Sequence, residues 1–234
     1  MGAQELLSFF SNWSVILPLF LGIIFINRLA YSSKIILAIV VFATIPQLMN
    51  AFNIKNDVVK NLTYNIYTPL EFLLFYFLFD KYIKGEKGQK ALKASLFFYI
   101  LASLFFILED NLTSRFLDEW VCINNLIYTM WIMIVFYKQY SLSNTLRIDT
   151  TTSSFWILIG LLFYAPFCSL YFSVYHYAQQ QNFSSLKSIH HIINTSMYIF
   201  FAIGIYKDSL SNYSKNSSTV NKQAYKDVTS NKQL

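Results

Sequence analysis

Seven stretches of this chain, 13–31, 35–53, 64–83, 91–108, 119–138, 154–177 and 187–206, are built mainly from Leu, Ile, Phe, Val, Ala and Tyr. Each is close to the length of about 20 apolar residues that a helix needs to cross a bilayer. The breaks between them are polar and short: "NRLAYSSK", "NIKNDVVKN", "DKYIKGEKGQK", "EDNLTSRFLDE", "KQYSLSNTLRIDTTTSS" and "HYAQQQNFSSLK". The physical constraint is severe. In lipid, every backbone N–H and C=O must be satisfied within the spanning segment, so such runs are predicted to fold as helices. Only 13% of the residues are charged, against about 25% in soluble domains, and the mean hydropathy is +0.41. The expectation is an all-α, polytopic membrane helix bundle with a single seven-helix transmembrane domain over residues 1–207. Residues 1–12, with Leu6, Leu7, Phe9 and Phe10, are expected to form a short interfacial helix. The Ser/Asn/Lys-rich segment 208–234 has little to bury and is expected to be a disordered cytoplasmic tail.

Lysine and arginine give the orientation. With seven spans, fourteen of the 18 basic residues fall on one side: Arg28, Lys34, Lys81, Lys84, Lys87, Lys90, Lys93, Lys138, Arg147, Lys207 and the tail lysines. Lys55, Lys60, Arg115 and Lys187 fall on the other. The positive-inside rule then predicts the N-terminus out and the C-terminus in. The net charge of +6 reflects this asymmetry and gives no reason to expect a nucleic-acid partner. The two cysteines, Cys122 and Cys168, lie in apolar runs without metal-type spacing.

Polar side chains inside apolar runs carry the functional information. Glu71 stands about seven residues into the third run, which places it about 10 Å below the membrane boundary. An acid there is costly against lipid and is expected to face the bundle interior or a wet cavity. Tyr67, one turn earlier, shares its face. The second run ends with Gln47 and Asn50, the third begins with Asn65, and the fifth carries Asn124, Asn125 and Tyr128. In the seventh, His191, Asn194, Thr195 and Tyr198 form one helical stripe. All these positions map to the outer half of the membrane, while inner halves such as "LLFYFLF" carry no strong polar group. The pattern predicts an outward-facing polar pocket with Glu71 at its deepest point. Its ligand-binding candidates are Gln47, Asn50, Asn65, Tyr67, Glu71, Asn124, Asn125, Tyr128, His191, Asn194 and Tyr198. Pro46, Pro69 and Pro166 fall within or beside helices, and kinks are expected near them.

Several seven-helix families do not fit. A retinal protein needs a lysine inside its last helix, where this chain has Lys187 and Lys207 only at the two ends. A G-protein-coupled receptor would end its third helix with an acidic-Arg-Tyr turn, where this chain has "FDKYIK". The segment "HHIIN" resembles the His-bearing last helix of zinc-dependent membrane hydrolases. Its histidines are adjacent, however, and point about 100° apart. No cofactor is expected; were zinc bound, His176, His191 and Glu71 are the ligand candidates. "TPLEFLLF" resembles the Pro-x-Glu-Glu stretch of small membrane lycopene cyclases, with Phe72 in place of the second acid. Across most of its length the chain resembles the small, uncharacterised seven-helix membrane proteins of bacteria, through "NIYTPLEFLLFYF" and "HHIINTSMYIFFAIGIYK". That resemblance implies a bacterial cytoplasmic-membrane location and no particular activity.

The leading functional expectation is a sensor or accessory module that binds a small molecule or lipid and passes its output to a membrane or cytoplasmic signalling partner. The alternative is a membrane-embedded hydrolase or isomerase acting on a lipid or isoprenoid, with Glu71 and His191 as catalytic pair. A proton-coupled carrier using Glu71 is the third.

Overall fold

A computed structural model describes residues 2–109, 112–142, 150–174 and 184–230. Among these the fold is all-α, with eight helices: α1 (Ala3–Ser14), α2 (Ile16–Ile24), α3 (Tyr31–Ala51), α4 (Asp57–Tyr82), α5 (Glu86–Glu109), α6 (Asp118–Leu142), α7 (Ser153–Ser173) and α8 (Ser184–Ser230). Six segments are long and apolar enough to cross a membrane: Ala3–Ile24, Tyr31–Ala51, Glu86–Glu109, Asp118–Lys138, Ser153–Ser173 and Ser185–Ser211. That number differs from the expected seven. The omitted helix is α4, whose 26 residues include Asp57, Lys60, Glu71, Asp80 and Lys81 as well as Asn65 and Thr68.

The first span also begins earlier than expected. Residues 3–14 do not form a separate surface helix. They join α2 almost without interruption, and α1 packs on α8 and α3. Its one buried residue, Ser11, accepts a hydrogen bond from Asn194 at 2.9 Å. The junction at Val15 lies three residues before Pro18, whose ring clashes with the carbonyl of Ser14 and leaves it without its i+4 donor. The segment expected to lie at the interface is instead tied to α8 through Ser11.

Local signals set the connections. At the end of α3, Asn53 has φ +49°, a left-handed conformation that Asn tolerates. Ile54 N–H then reaches Met49 O at 3.1 Å and Asn53 N–H reaches Asn50 O at 3.0 Å, the two bonds of a Schellman motif. Three residues on, Asn56 caps α4 by accepting from Val59 N–H at 3.1 Å. Gly85, with φ +92°, turns the chain between α4 and α5, and Gln89 donates to Ile83 O at 2.6 Å across that turn.

Helices α4, α3, α1/α2, α8, α7 and α6 follow one another around a ring, with α4 closing against α6. Helix α5 lies outside it, against α4 and α6. Its outer face stays uncovered, with Phe97, Phe98, Phe105 and Leu108 exposed. The seam between α4, α5 and α6 is aromatic. Phe72 stacks on Tyr99 at 3.6 Å, and Trp131 lies 5.3 Å from both Phe72 and Phe79. The buried Trp131 indole donates to Ser95 Oγ at 2.9 Å, so its N–H is not left unpaired in apolar surroundings.

Helices α7 and α8 approach closely through glycine. A Cβ on Gly160 would meet Phe200 Cβ at 2.9 Å, and one on Gly204 would meet Ile157 Cγ1 at 2.9 Å and Ser153 O at 3.2 Å. Small residues at such crossings let helix backbones pack tightly in membranes.

At the lysine-rich end, Ala30 N–H donates to Asp208 Oδ2 at 2.6 Å. The carboxylate of α8 thereby caps α3, whose own N-cap residue offers no side chain. Asp208 and Ser209, the first two residues of the segment expected to be a free tail, are buried, and α8 runs on to Ser230.

Candidate functional site

A cavity of about 360 Å³ opens inside the ring, at the end opposite the lysine-rich turns. Every member of the ring except α2 contributes to its wall. The residues are Ser11 and Asn12 of α1; Ala43, Pro46, Gln47 and Asn50 of α3; and Lys60, Asn61, Tyr64, Tyr67, Thr68 and Glu71 of α4. Val121 of α6, Tyr164, Tyr171 and Phe172 of α7, and His190, His191, Asn194, Met197 and Tyr198 of α8 complete it, with Phe116 from the α5–α6 connection. Towards the lysine-rich end the next layer is apolar and fully packed, with Val40, Phe75, Leu161 and Phe201 at 0–2% exposure.

Glu71 marks the deep end. Tyr67 donates its hydroxyl proton to Glu71 Oε1 at 2.5 Å, the i, i+4 geometry of one helical turn. Helix α4 sorts its side chains sharply here. Glu71 turns to the cavity while Phe72, its neighbour in sequence, turns into the aromatic seam with Tyr99. Pro69 lies between Tyr67 and Glu71 in the sequence, and its missing N–H leaves the carbonyl of Asn65 without its usual helical donor.

The wall is closed by polar bridges and ring contacts. Asn50 donates to the Tyr64 hydroxyl, joining α3 to α4. Tyr64 meets Phe116 edge-on at 5.4 Å, and Phe116 meets Phe172 at 5.7 Å. On the far side the His190 ring stacks on Tyr171 at 4.5 Å, and its Nδ1 lies 3.6 Å from Cys168 Sγ. His191 Nδ1 is buried and finds no hydrogen-bond partner among the described residues. His191 also lines an adjoining groove of about 670 Å³ with Glu5, Phe9, Trp13 and Lys187; Asn12 and Asn50 are shared by both spaces.

Seven of the eleven ligand-binding candidates line this cavity: Gln47, Asn50, Tyr67, Glu71, His191, Asn194 and Tyr198. Four stand elsewhere. Asn65 is buried and holds the α5–α6 connection, donating to Leu112 O at 2.8 Å and Arg115 O at 2.9 Å and accepting from Leu117 N–H at 3.1 Å. Asn124 donates to Thr68 O at 3.2 Å, between α6 and α4. Asn125 bonds back to Val121 O within its own helix at 2.8 Å. Tyr128 is buried in the seam, 4.7 Å from Phe75. None of these four lines the open space; the Tyr128 hydroxyl is buried without a hydrogen-bond partner among the described residues.

Both histidines of the adjacent pair reach the cavity, because it wraps around the start of α8. Among the described residues no group of three His, Cys, Asp or Glu is placed to hold a metal ion. His176, the third histidine of the zinc candidates, lies outside them. Residues that the sequence left unmarked include Tyr164, Met197 and Lys60. Tyr164 sits in the middle of "LLFYAPF", where an isolated tyrosine reads as apolar packing. Comparison with protein-family models, with characterised proteins and with solved structures finds no match for this chain.

Proposed function

We propose that the protein is an integral membrane module that binds a small molecule or lipid in the cavity around Glu71. In this reading α4 is a seventh span, the N-terminus and the cavity mouth face outward, and the lysine-rich turns face the cytoplasm of a bacterial cell. The buried positions of Asn65 and Thr68 support α4 as a span, since its polar groups turn inward and need not meet lipid. The observation that carries the binding role is the cavity itself: 360 Å³, of the size that small-molecule sites occupy, with an acid at its deep end. Output from a bound state would pass to a membrane or cytoplasmic partner.

The test is labelling from outside. In a variant with Cys122 and Cys168 replaced by serine, Gln47→Cys, Asn50→Cys and Asn194→Cys are treated with a membrane-impermeant maleimide on intact cells. Labelling at all three is the expected result; three sealed positions would defeat the outward cavity.

A second reading, a membrane-embedded enzyme acting on a lipid or isoprenoid, draws on one observation: Glu71 and His191 line the same cavity. An acid and an imidazole whose Nδ1 has no partner among the described residues, set in one cavity, are groups suited to proton transfer. Stoichiometric zinc in the purified protein, lost in Glu71→Gln and His191→Ala, would favour that reading.

A further inference from the structure

We infer that the deep end of the cavity is an organic-ammonium site, in which the Glu71 carboxyl, framed by Tyr67, Tyr164 and Tyr198, receives the amine or quaternary-ammonium end of the ligand. This rests on the binding role proposed above and names the class of molecule that would use it.

Charge is the first argument. Among the described residues lining the cavity Glu71 is the one acid and Lys60 the one Lys or Arg. Lys60 is eleven residues earlier on the same helix, about 16 Å nearer the mouth, too far out to neutralise the carboxyl. The histidines line the space from the start of α8, one to two turns before Tyr198. Tyr67 gives Glu71 a hydrogen bond at 2.5 Å but no charge. A carboxyl withdrawn from water is stabilised by a positive partner, and the wall at its depth supplies none. A ligand that brought a carboxylate or phosphate there would meet like charge instead.

The second argument is the wall. Tyr67, Tyr164 and Tyr198 come from three different helices, α4, α7 and α8, and all line the space with Glu71. Tyrosine ring faces attract cations, most strongly where water is excluded, and a ring of aromatic residues is the known solution for quaternary ammonium. The tyrosine oxygens can also accept from a primary amine. The same group could arrive as a free amine or as an aminolipid headgroup; both carry the chemistry that fits.

The experiment uses the full chain purified in detergent, followed by its thermal unfolding midpoint. Choline and ethanolamine are titrated beside 3,3-dimethyl-1-butanol, the neutral carbon isostere of choline. The ammonium compounds should raise the midpoint in a concentration-dependent way and the isostere should not. Glu71→Gln should weaken the response about tenfold or more. Tyr164→Phe should keep most of it, whereas Tyr164→Leu should lose it several-fold, because the ring face and not the hydroxyl attracts the cation. If free amines are silent, the chain is reconstituted with equal phosphatidylethanolamine and phosphatidylglycerol and the retained lipid is quantified. Enrichment of the aminolipid in wild type but not in Glu71→Gln assigns the headgroup as the source. If neither amines nor the aminolipid are preferred over their uncharged or anionic counterparts, the ammonium assignment is overturned. That failure is distinct from failure of the cavity, which the maleimide labelling reads independently. Should Glu71→Gln not fold, choline against its isostere on wild type decides the matter alone.

Discussion

Tyr67 and Glu71 are joined at 2.5 Å across one turn of α4, and both line the cavity. Tyr67→Phe removes the donor and nothing else. Because the acid then loses its one hydrogen bond among the described residues, a loss of about 0.5–1.5 kcal/mol is expected. In a double-mutant cycle with Glu71→Gln, the two losses should be clearly non-additive. Additive losses, read by chemical unfolding in micelles, would show that the contact is not formed.

Asn65 is expected to be the most costly polar residue of α4. It makes three hydrogen bonds to the α5–α6 connection from a buried position. Asn65→Leu leaves two carbonyls and an N–H without this partner, and each buried group so orphaned costs about 1–3 kcal/mol. Limited trypsin digestion should then cut at Arg115 much faster than in wild type. An unchanged cleavage rate would count against the clamp.

Gly160 and Gly204 predict tight tolerance at the α7–α8 crossing. The Cβ of Gly204→Ala would lie 3.2 Å from the Ser153 carbonyl and 2.9 Å from Ile157, and that of Gly160→Ala would press on Phe200. Overpacking of this kind costs about 1–3 kcal/mol. Gly2→Ala, where nothing lies within 4 Å, is the matched control. Unfolding midpoints of the three variants check the order.

Asp208 should matter more than its place after the last apolar run suggests. Asp208→Ala removes the acceptor of Ala30 N–H and with it the cap of α3, a loss of about 1 kcal/mol. Asp208→Asn keeps an acceptor oxygen and should recover part of it. Equal midpoints for wild type and Asp208→Ala would argue that α8 is not docked on α3 at Asp208.

The helical class and much of the cavity wall were legible from pattern alone, for identifiable reasons. Long apolar runs have one structural solution in lipid. Helical spacing grouped Tyr67 with Glu71, and His191 with Asn194 and Tyr198, all of which line the cavity; Thr195, placed on the same stripe, bonds back to His191 O instead. Periodicity gives the face of a helix, however, and not the neighbour it meets. Asn65, Asn124, Asn125 and Tyr128 are as polar as the residues that line the cavity, yet they turn to a connection, to a facing helix, to their own backbone or to an aromatic seam. Tyr164 was hidden by the converse effect, a polar tip within an apolar run. The start of α1 was misplaced because Gln4, Glu5, Ser8 and Asn12 dilute its hydropathy, while Ser11 buries against Asn194.

The contact between Asn194 and Ser11 ties the first described helix to the last. Every helix of the cavity wall between them is synthesised before α8. Until α8 arrives, α1 has no Asn194 to meet, and the His190, His191 and Tyr198 side of the chamber does not exist. The chamber around Glu71 therefore closes only once α8 is in place. A ribosome-bound chain halted before α8 would hold Glu71 beside an open flank.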